Sequence, residues 1–136
     1  NETSLFLAGW ITGCSDWQKE IISSLKDTSL ILINPRRANF DVNNPNMEYE
    51  QISWEHRHLE KASMISFWFP SETLCPITLF ELGKYARDIN KTIFVWRDID
   101  YKRKRDIDIQ ISLIRPGIQV VETLEALSKQ IQKYIS

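Results

Sequence analysis

The sequence predicts an α/β fold, a doubly wound layer built on a parallel sheet, and three observations carry that prediction. Short apolar runs of strand length alternate with stretches of helical spacing along the 136 residues. Two of the runs, MISFWF at 64–69 and TIFVW at 92–96, are apolar almost throughout, as strands covered on both faces are. No repeat, low-complexity tract or linker divides the chain, so residues 1–136 read as one domain with room for a hydrophobic core.

The first strand is SLFLA at 4–8, closed by Gly9. Trp17, Ile21, Ile22 and Leu25 then recur at helical spacing, and Ser15 or Asp16 can cap that helix by accepting from its free N–H groups. The second strand spans 30–33 and stops at Asn34-Pro35. Residues 36–46, rich in Asn, Pro and Arg, read as a functional loop. A helix over 47–61 leads into the third strand, 64–69. The loop that follows ends at Pro76, suited to the first turn of a helix running to about Asp88. The fourth strand is 92–96. The charged stretch 97–111 is ambiguous, a long loop with a short helical or extended piece. A fifth strand at 118–121 and an amphipathic helix at 123–134 close the chain. About five mainly parallel strands joined by right-handed crossovers make a flavodoxin-like layer with helices on both faces. Ligands of such layers bind outside the carboxyl ends of the strands, so the loops after Ala8, Ile33, Phe69 and Trp96 are expected to share one functional edge.

Composition removes several classes of function. A formal net charge of −1 supplies no basic field for a nucleic-acid polymer, and no apolar run is long enough to span a bilayer. Neither a polyanion nor a membrane is therefore an expected partner. Cys14 and Cys75 match neither a metal-ligand spacing nor a CxxC pair, and read as free thiols in a reducing cytosol; the expected location is cytoplasmic. His56 and His58 lie two apart, on different sides of a helix, and make a poor metal site. No metal and no cofactor is expected. The basic run Lys102-Arg103-Lys104-Arg105 is largely cancelled by Asp98, Asp100, Asp106 and Asp108.

Glu81 is the sharpest chemical candidate. It stands between Phe80 and Leu82, and a buried carboxylate is costly unless it is hydrogen-bonded or used. Spacing alone favours a solvent-facing Glu81; Gly83, unfavourable inside a helix, tips the balance modestly towards a site by permitting close approach. Glu55, on the helix before the third strand, offers a second carboxylate for acid/base work, or equally an ion pair with Arg57 or His58. Gly9-Trp10 makes a tight turn with an aromatic platform for a flat ring, although a strand-ending glycine beside a packed Trp fits the spacing better. Asn34-Pro35-Arg36-Arg37 lies on the expected ligand edge, where the arginines suit a phosphate or carboxylate, or clamp Asp41 or Glu48.

These pieces occur in a recognisable order: Phe6-Leu7-Ala8-Gly9-Trp10, Asp16-Trp17-Gln18, Asn34-Pro35-Arg36-Arg37, Gln51-x-x-Trp54-Glu55, Ala62-x-x-Ile65-x-Phe67-Trp68-Phe69, and Pro76-Ile77-Thr78-Leu79-Phe80-Glu81-Leu82-Gly83. The set resembles the nucleoside 2-deoxyribosyltransferase-like family, from the first strand to about Trp96. The resemblance implies a flavodoxin-like fold and N-glycosidic bond chemistry on nucleosides. It puts the glycosyl nucleophile on Glu81 and the handling of the base's proton on Glu55. Gly9 and Trp10 match the turn beside the nucleobase, and the expected substrate contacts are Phe6, Gly9, Trp10, Asn34, Arg36, Arg37, Trp54, Trp68 and Thr78, with Phe6, Trp10 and Trp68 suited to stack on the base and keep water away. Where family members place a tyrosine near the end of the first strand, this chain has Leu5 or Phe6. In the loop before the nucleophile helix it has Ser71, Glu72, Thr73 and Cys75 rather than an aspartate.

The expected reaction is 2′-deoxyribosyl transfer from a nucleoside to another nucleobase through a covalent glycosyl-enzyme. A hydrolase of a nucleoside or nucleoside 5′-monophosphate, with Arg36 or Arg37 on the phosphate, is the first alternative. A non-catalytic nucleotide-binding module is the second. Family analogy adds a homo-oligomer, with residues 97–111 the place to look for a neighbour's contribution.

Overall fold

The computed structural model describes residues 3–11, 14–36 and 45–136. Four strands, β1 (Ser4–Gly9), β2 (Ile31–Ile33), β3 (Met64–Phe69) and β4 (Thr92–Arg97), form one parallel sheet in the order β2-β1-β3-β4. Five helices accompany them: α1 (Trp17–Ser24), α2 (Met47–Lys61), α3 (Pro76–Tyr85), α4 (Lys104–Ile114) and α5 (Leu124–Ile135). This is the doubly wound α/β arrangement expected, with two differences in its later part.

The expected fifth strand shrinks to a single parallel bridge, Trp96 to Val121. Val121 donates its N–H to the Val95 carbonyl and accepts from the Arg97 N–H. Pro116 and Gly117 just upstream disfavour a longer run of ladder hydrogen bonds. The ambiguous stretch 97–111 runs from the last residue of β4 into α4, which continues to Ile114. Ile107, Ile109 and Ile111 alternate with polar residues as a strand would, yet only Ile107 and Ile111 are buried and Ile109 is exposed, the one-face pattern of a helix.

Alternation along the strands divides the core. Phe6, Ala8, Ile65, Phe67, Phe69, Ile93 and Val95 face a layer that includes Leu59 of α2, Leu82 of α3 and Ile107 and Ile111 of α4. Leu5, Leu7, Met64, Trp68, Phe94 and Trp96 face α1 and α5 through Trp17, Ile21, Leu127 and Ile131. The second layer centres on three indoles: Trp68 stacks on Trp96 with centroids 5.0 Å apart, and Trp17 packs 5.4 Å from Trp68.

Polar side chains fasten the ends of the elements. The Asp16 carboxylate accepts from the Lys19 N–H and caps α1, whose free amides need such an acceptor. Lys91, buried, donates its ammonium hydrogens to the carbonyls of Leu59, Glu60 and Ala62, satisfying the end of α2. Arg97 makes a two-pronged hydrogen bond to Asp108 at 3.2 and 2.7 Å, which ties α4 to the carboxyl end of β4.

Gly9 is required by packing: a Cβ there would lie 2.8 Å from Cζ2 and 2.9 Å from Nε1 of Trp17. Trp17 is held between Trp68 and Trp96 and cannot swing aside. Gly9→Ala is therefore expected to lower stability by about 1–3 kcal/mol through overpacking. A denaturant titration checks it; an unchanged midpoint would mean that the indole cluster yields.

Candidate functional site

Glu55 and Glu81 meet in a cleft of about 170 Å³ at the carboxyl end of β1, with Phe6, Ala8, Gly9, Trp10, Ile11, Pro35, Ile77 and Thr78 as its other lining residues. The fold assembles it from three sources. Strand β1 sends Phe6 and Ala8 to the α2–α3 face, while the turn after it supplies Trp10 and Ile11. Helix α2 offers Glu55, and α3, starting beside the end of β3, offers Thr78 and Glu81 one turn apart on the face towards the cleft.

The entry to α3 is strained. Cys75, the residue before its first turn, has φ 53° and ψ 57°, the left-handed region that a non-glycine side chain rarely adopts. Pro76 then starts the helix, where its missing N–H costs nothing. Neither thiol reads as a nucleophile. Burial pushes Cys75 up to about 12, and burial, with the Glu72 carboxylate beside it, also raises Cys14.

The pKa of Glu81 is raised to about 7, first by burial, then by the negative charge of Glu55, against a smaller opposing pull from Lys84. Such a pair does not ionise twice readily, so Glu81 keeps its proton as pH rises until about 7. Glu55 is fixed by its own helix: Gln51, one turn earlier, donates its side-chain amide to Glu55 Oε1 at 3.0 Å and to the Pro35 carbonyl at 3.3 Å.

The other expected contacts divide. Phe6, Gly9, Trp10 and Thr78 line the cleft with the two carboxyls. Trp54 packs behind Phe6, with centroids 6.3 Å apart, and stacks on His58 at 4.1 Å. Trp68 is not brought to the cleft. The pairing of Gly9 with Trp68 puts its side chain on the α1–α5 face, inside the indole cluster. Asn34 Oδ1 accepts from the Arg36 N–H and closes a local turn. Arg36 turns away to donate to Gln18 Oε1, Ile11 O and Ser15 O, and it pairs with Asp16 at 3.3 Å. It is a clamp on the segment between β1 and α1, with Asp16 as its partner carboxylate; Asp41 lies outside the described residues. Arg37 lies outside the described residues.

Gly83, which weighed towards a site in the sequence, does not border this cleft. Its missing Cβ faces open space, beside a separate groove of about 410 Å³ between α3 and α4. Pro35, Ile11 and Ile77 line the cleft without having been expected there, and Gln51 supports it. Only Gln51 carried a visible signal, four residues before Glu55 on one helix face.

The raised pKa has a consequence for stability. The folded state holds the Glu81 proton up to about 7, against an ordinary value of 4.5. The group is therefore neutral without cost below 4.5, and its ionisation works increasingly against folding as pH rises from 4.5 to 7, levelling above that at about 3 kcal/mol. Glu81→Gln is expected to match the parent at pH 4 and to be more stable at pH 8, by up to about 3 kcal/mol. Urea titrations at the two pH values check it, and a pH-independent difference would contradict the burial of this carboxyl.

With the geometry in view, likeness to other proteins can be weighed. No curated protein sequence matches the chain. A crystal structure of a conserved protein from Enterococcus faecalis V583 superposes with a TM-score of 0.69 at 15% identity, over 98% of this chain and 99% of that one. At that identity the likeness speaks for the fold. The family described as nucleoside 2-deoxyribosyltransferase like matches residues 2–99, which carry β1 to β4, both carboxyls and the whole described cleft. The chain belongs to the nucleoside 2-deoxyribosyltransferase-like family.

Proposed function

We propose that the protein transfers a 2-deoxyribosyl group between nucleobases, with Glu81 as nucleophile and Glu55 as the group that manages the base's proton. The observation that carries this reading is the pair itself: two carboxyls in one small, largely apolar cleft, one of them raised to about 7. Family membership supports nucleoside chemistry.

The step needs one proton, which Glu81 holds below about pH 7 and passes to Glu55 as it ionises. Ionised Glu81 attacks the anomeric carbon, the C1′–N bond breaks with its electron pair moving to the base, and the proton passes through Glu55 to that base nitrogen. The glycosyl ester at Glu81 then awaits a second base, which gives its N–H proton to Glu55, attacks the anomeric carbon from the other side and expels the Glu81 carboxylate, restoring the configuration. Trp10 and Phe6 suit the flat face of a base, and Ile11, Pro35 and Ile77 limit water, which would otherwise hydrolyse the ester.

A nucleoside fits better than its 5′-phosphate. The described lining carries two carboxyls and no cation, and Arg36, the expected phosphate grip, is engaged by Gln18, Asp16 and two carbonyls. Phosphate beside that pair would meet repulsion.

Incubation with a deoxynucleoside, with and without a second base, tests the reading. Base exchange is expected, and Glu81→Ala is expected to lower it by about 10³-fold or more. A 2-fluoro-deoxynucleoside should leave the sugar's mass on Glu81. Sugar release without exchange would make the protein a hydrolase. Tight binding without turnover, insensitive to Glu81→Ala except in affinity, would make it a binding module. The activity, kcat/KM, is expected to fall as pH rises through about 7, where the pair loses its remaining proton.

A further inference from the structure

We propose that two copies of the chain pair through the groove between α3 and α4, with Phe80 of each copy seated beside Gly83 of the other. The pairing is independent of the glycosyl-transfer reading and gives Gly83 a reason that the cleft does not supply.

A glycine inside a helix is less favourable than an alanine, because it orders a freer backbone and exposes it to water. Gly83 lies within α3, and nothing in the single chain calls for it: a Cβ placed there meets no atom within 4 Å. The space it leaves belongs to the groove of about 410 Å³, walled by Leu79 and Leu82 of α3 and by Ile107, Ile111 and Ile114 of α4. One turn earlier on α3 stands Phe80, which is 70% exposed. Knob and hole therefore lie one turn apart on the same helix.

That spacing selects the occupant. A two-fold axis crossing α3 between Phe80 and Gly83 lays the two helices antiparallel and seats both rings at once, so one patch serves both copies. An apolar ligand in the groove would leave Phe80 bare. Charge permits the contact. Arg103 on the rim pairs with Asp106 at 3.1 Å, and Lys84 pairs with Glu60 at 3.4 Å, so the face meets its own copy without strong repulsion. Ile77, one turn before Phe80, and Leu113, one turn after Gln110 of the rim, are 57% and 74% exposed. With Phe80 they present on the order of 300 Å² of apolar side chain, a patch of the size that marks interaction surfaces. The groove walls add to it, towards the roughly 500 Å² per copy of a small specific interface. The dimer is accordingly expected to be weak.

Sedimentation velocity from about 1 to about 300 µM chain measures the pairing, and circular dichroism follows melting. The parent is expected to pass from monomer to dimer within that range. Gly83→Leu, which fills the hole, and Phe80→Ser, which removes the knob, should each weaken dimerisation at least about tenfold. At about 1 µM, where the monomer prevails, Gly83→Leu should melt a few degrees above the parent, since it is the better helix former, while failing to pair. Should Gly83→Leu fail to fold, Phe80→Ser decides. Tyr49→Ser, on an exposed part of α2, should pair as the parent does. The proposal is overturned if the parent stays monomeric at about 300 µM, which leaves the groove to another occupant. It is equally overturned if folded Gly83→Leu pairs as readily as the parent, or if Tyr49→Ser breaks the dimer and so puts the contact on α2.

Discussion

Strands β1 and β3 pair in parallel, from Leu5–Met64 to Gly9–Trp68, with β2 beyond one and β4 beyond the other, so right-handed crossovers take the chain from the two strands towards opposite faces of the sheet. After β1 it turns to α1, on the side of the indole cluster; after β3 it turns to α3, on the other side. The crevice left between those departures is where the cleft lies, as expected at a switch point of strand order. The same pairing explains the contrasting places of two aromatic residues. Phe6 falls on the α2–α3 face and lines the cleft, while Trp68 falls on the α1–α5 face and supports it from beneath. Gly9 serves both sides, lining the cleft while leaving room for the ring of Trp17.

Within that crevice the fold tolerates an arrangement that works against its own stability. A carboxyl whose pKa burial raises to about 7 disfavours the folded state wherever it must ionise, and a second carboxyl beside it adds to the cost. The left-handed backbone at Cys75, immediately before the helix that carries Glu81, is a further local strain. Packing elsewhere offsets these terms: the cluster of three indoles, buried Lys91 on three carbonyls, and Arg97 on Asp108 all lie outside the described cleft lining. This division between a rigid frame and a strained site suits the nucleophile proposed at Glu81.

Much of the frame was legible because strand burial writes itself as uninterrupted apolar runs. Residues 64–69 and 92–96 stand within one residue of β3 and β4, and Pro76 marks the start of α3. The fifth strand was not legible, since 118–121 has the composition of a strand and only its pairing, confined to Val121, shows otherwise. At the site, Glu81 was visible as an odd carboxyl among apolar residues, but Gly83 pointed to it for a reason the structure does not share. Period and composition cannot tell which face of a buried strand an aromatic side chain takes, hence Trp68. Nor can they tell whether an arginine on the ligand edge faces the ligand or the frame, hence Arg36.

The Asn34-Pro35-Arg36 segment shows how a loop on the ligand edge can serve a site without gripping the ligand. Asn34 closes the turn by accepting from the Arg36 N–H, which fixes where both neighbours point. Pro35 then presents its carbonyl to Gln51, and through Gln51 the turn reaches Glu55. Arg36 points the other way, to the carbonyls of Ile11 and Ser15 that flank the turn after β1, and so reaches the segment that carries Trp10. One short turn after β2 therefore restrains both the carboxyl and the aromatic wall of the cleft. Each restraint is a hydrogen bond to a carbonyl or a carboxyl, for which a guanidinium and an amide are the fitting donors. Arg36 is thus explained by the frame, and a phosphate is not needed to account for it.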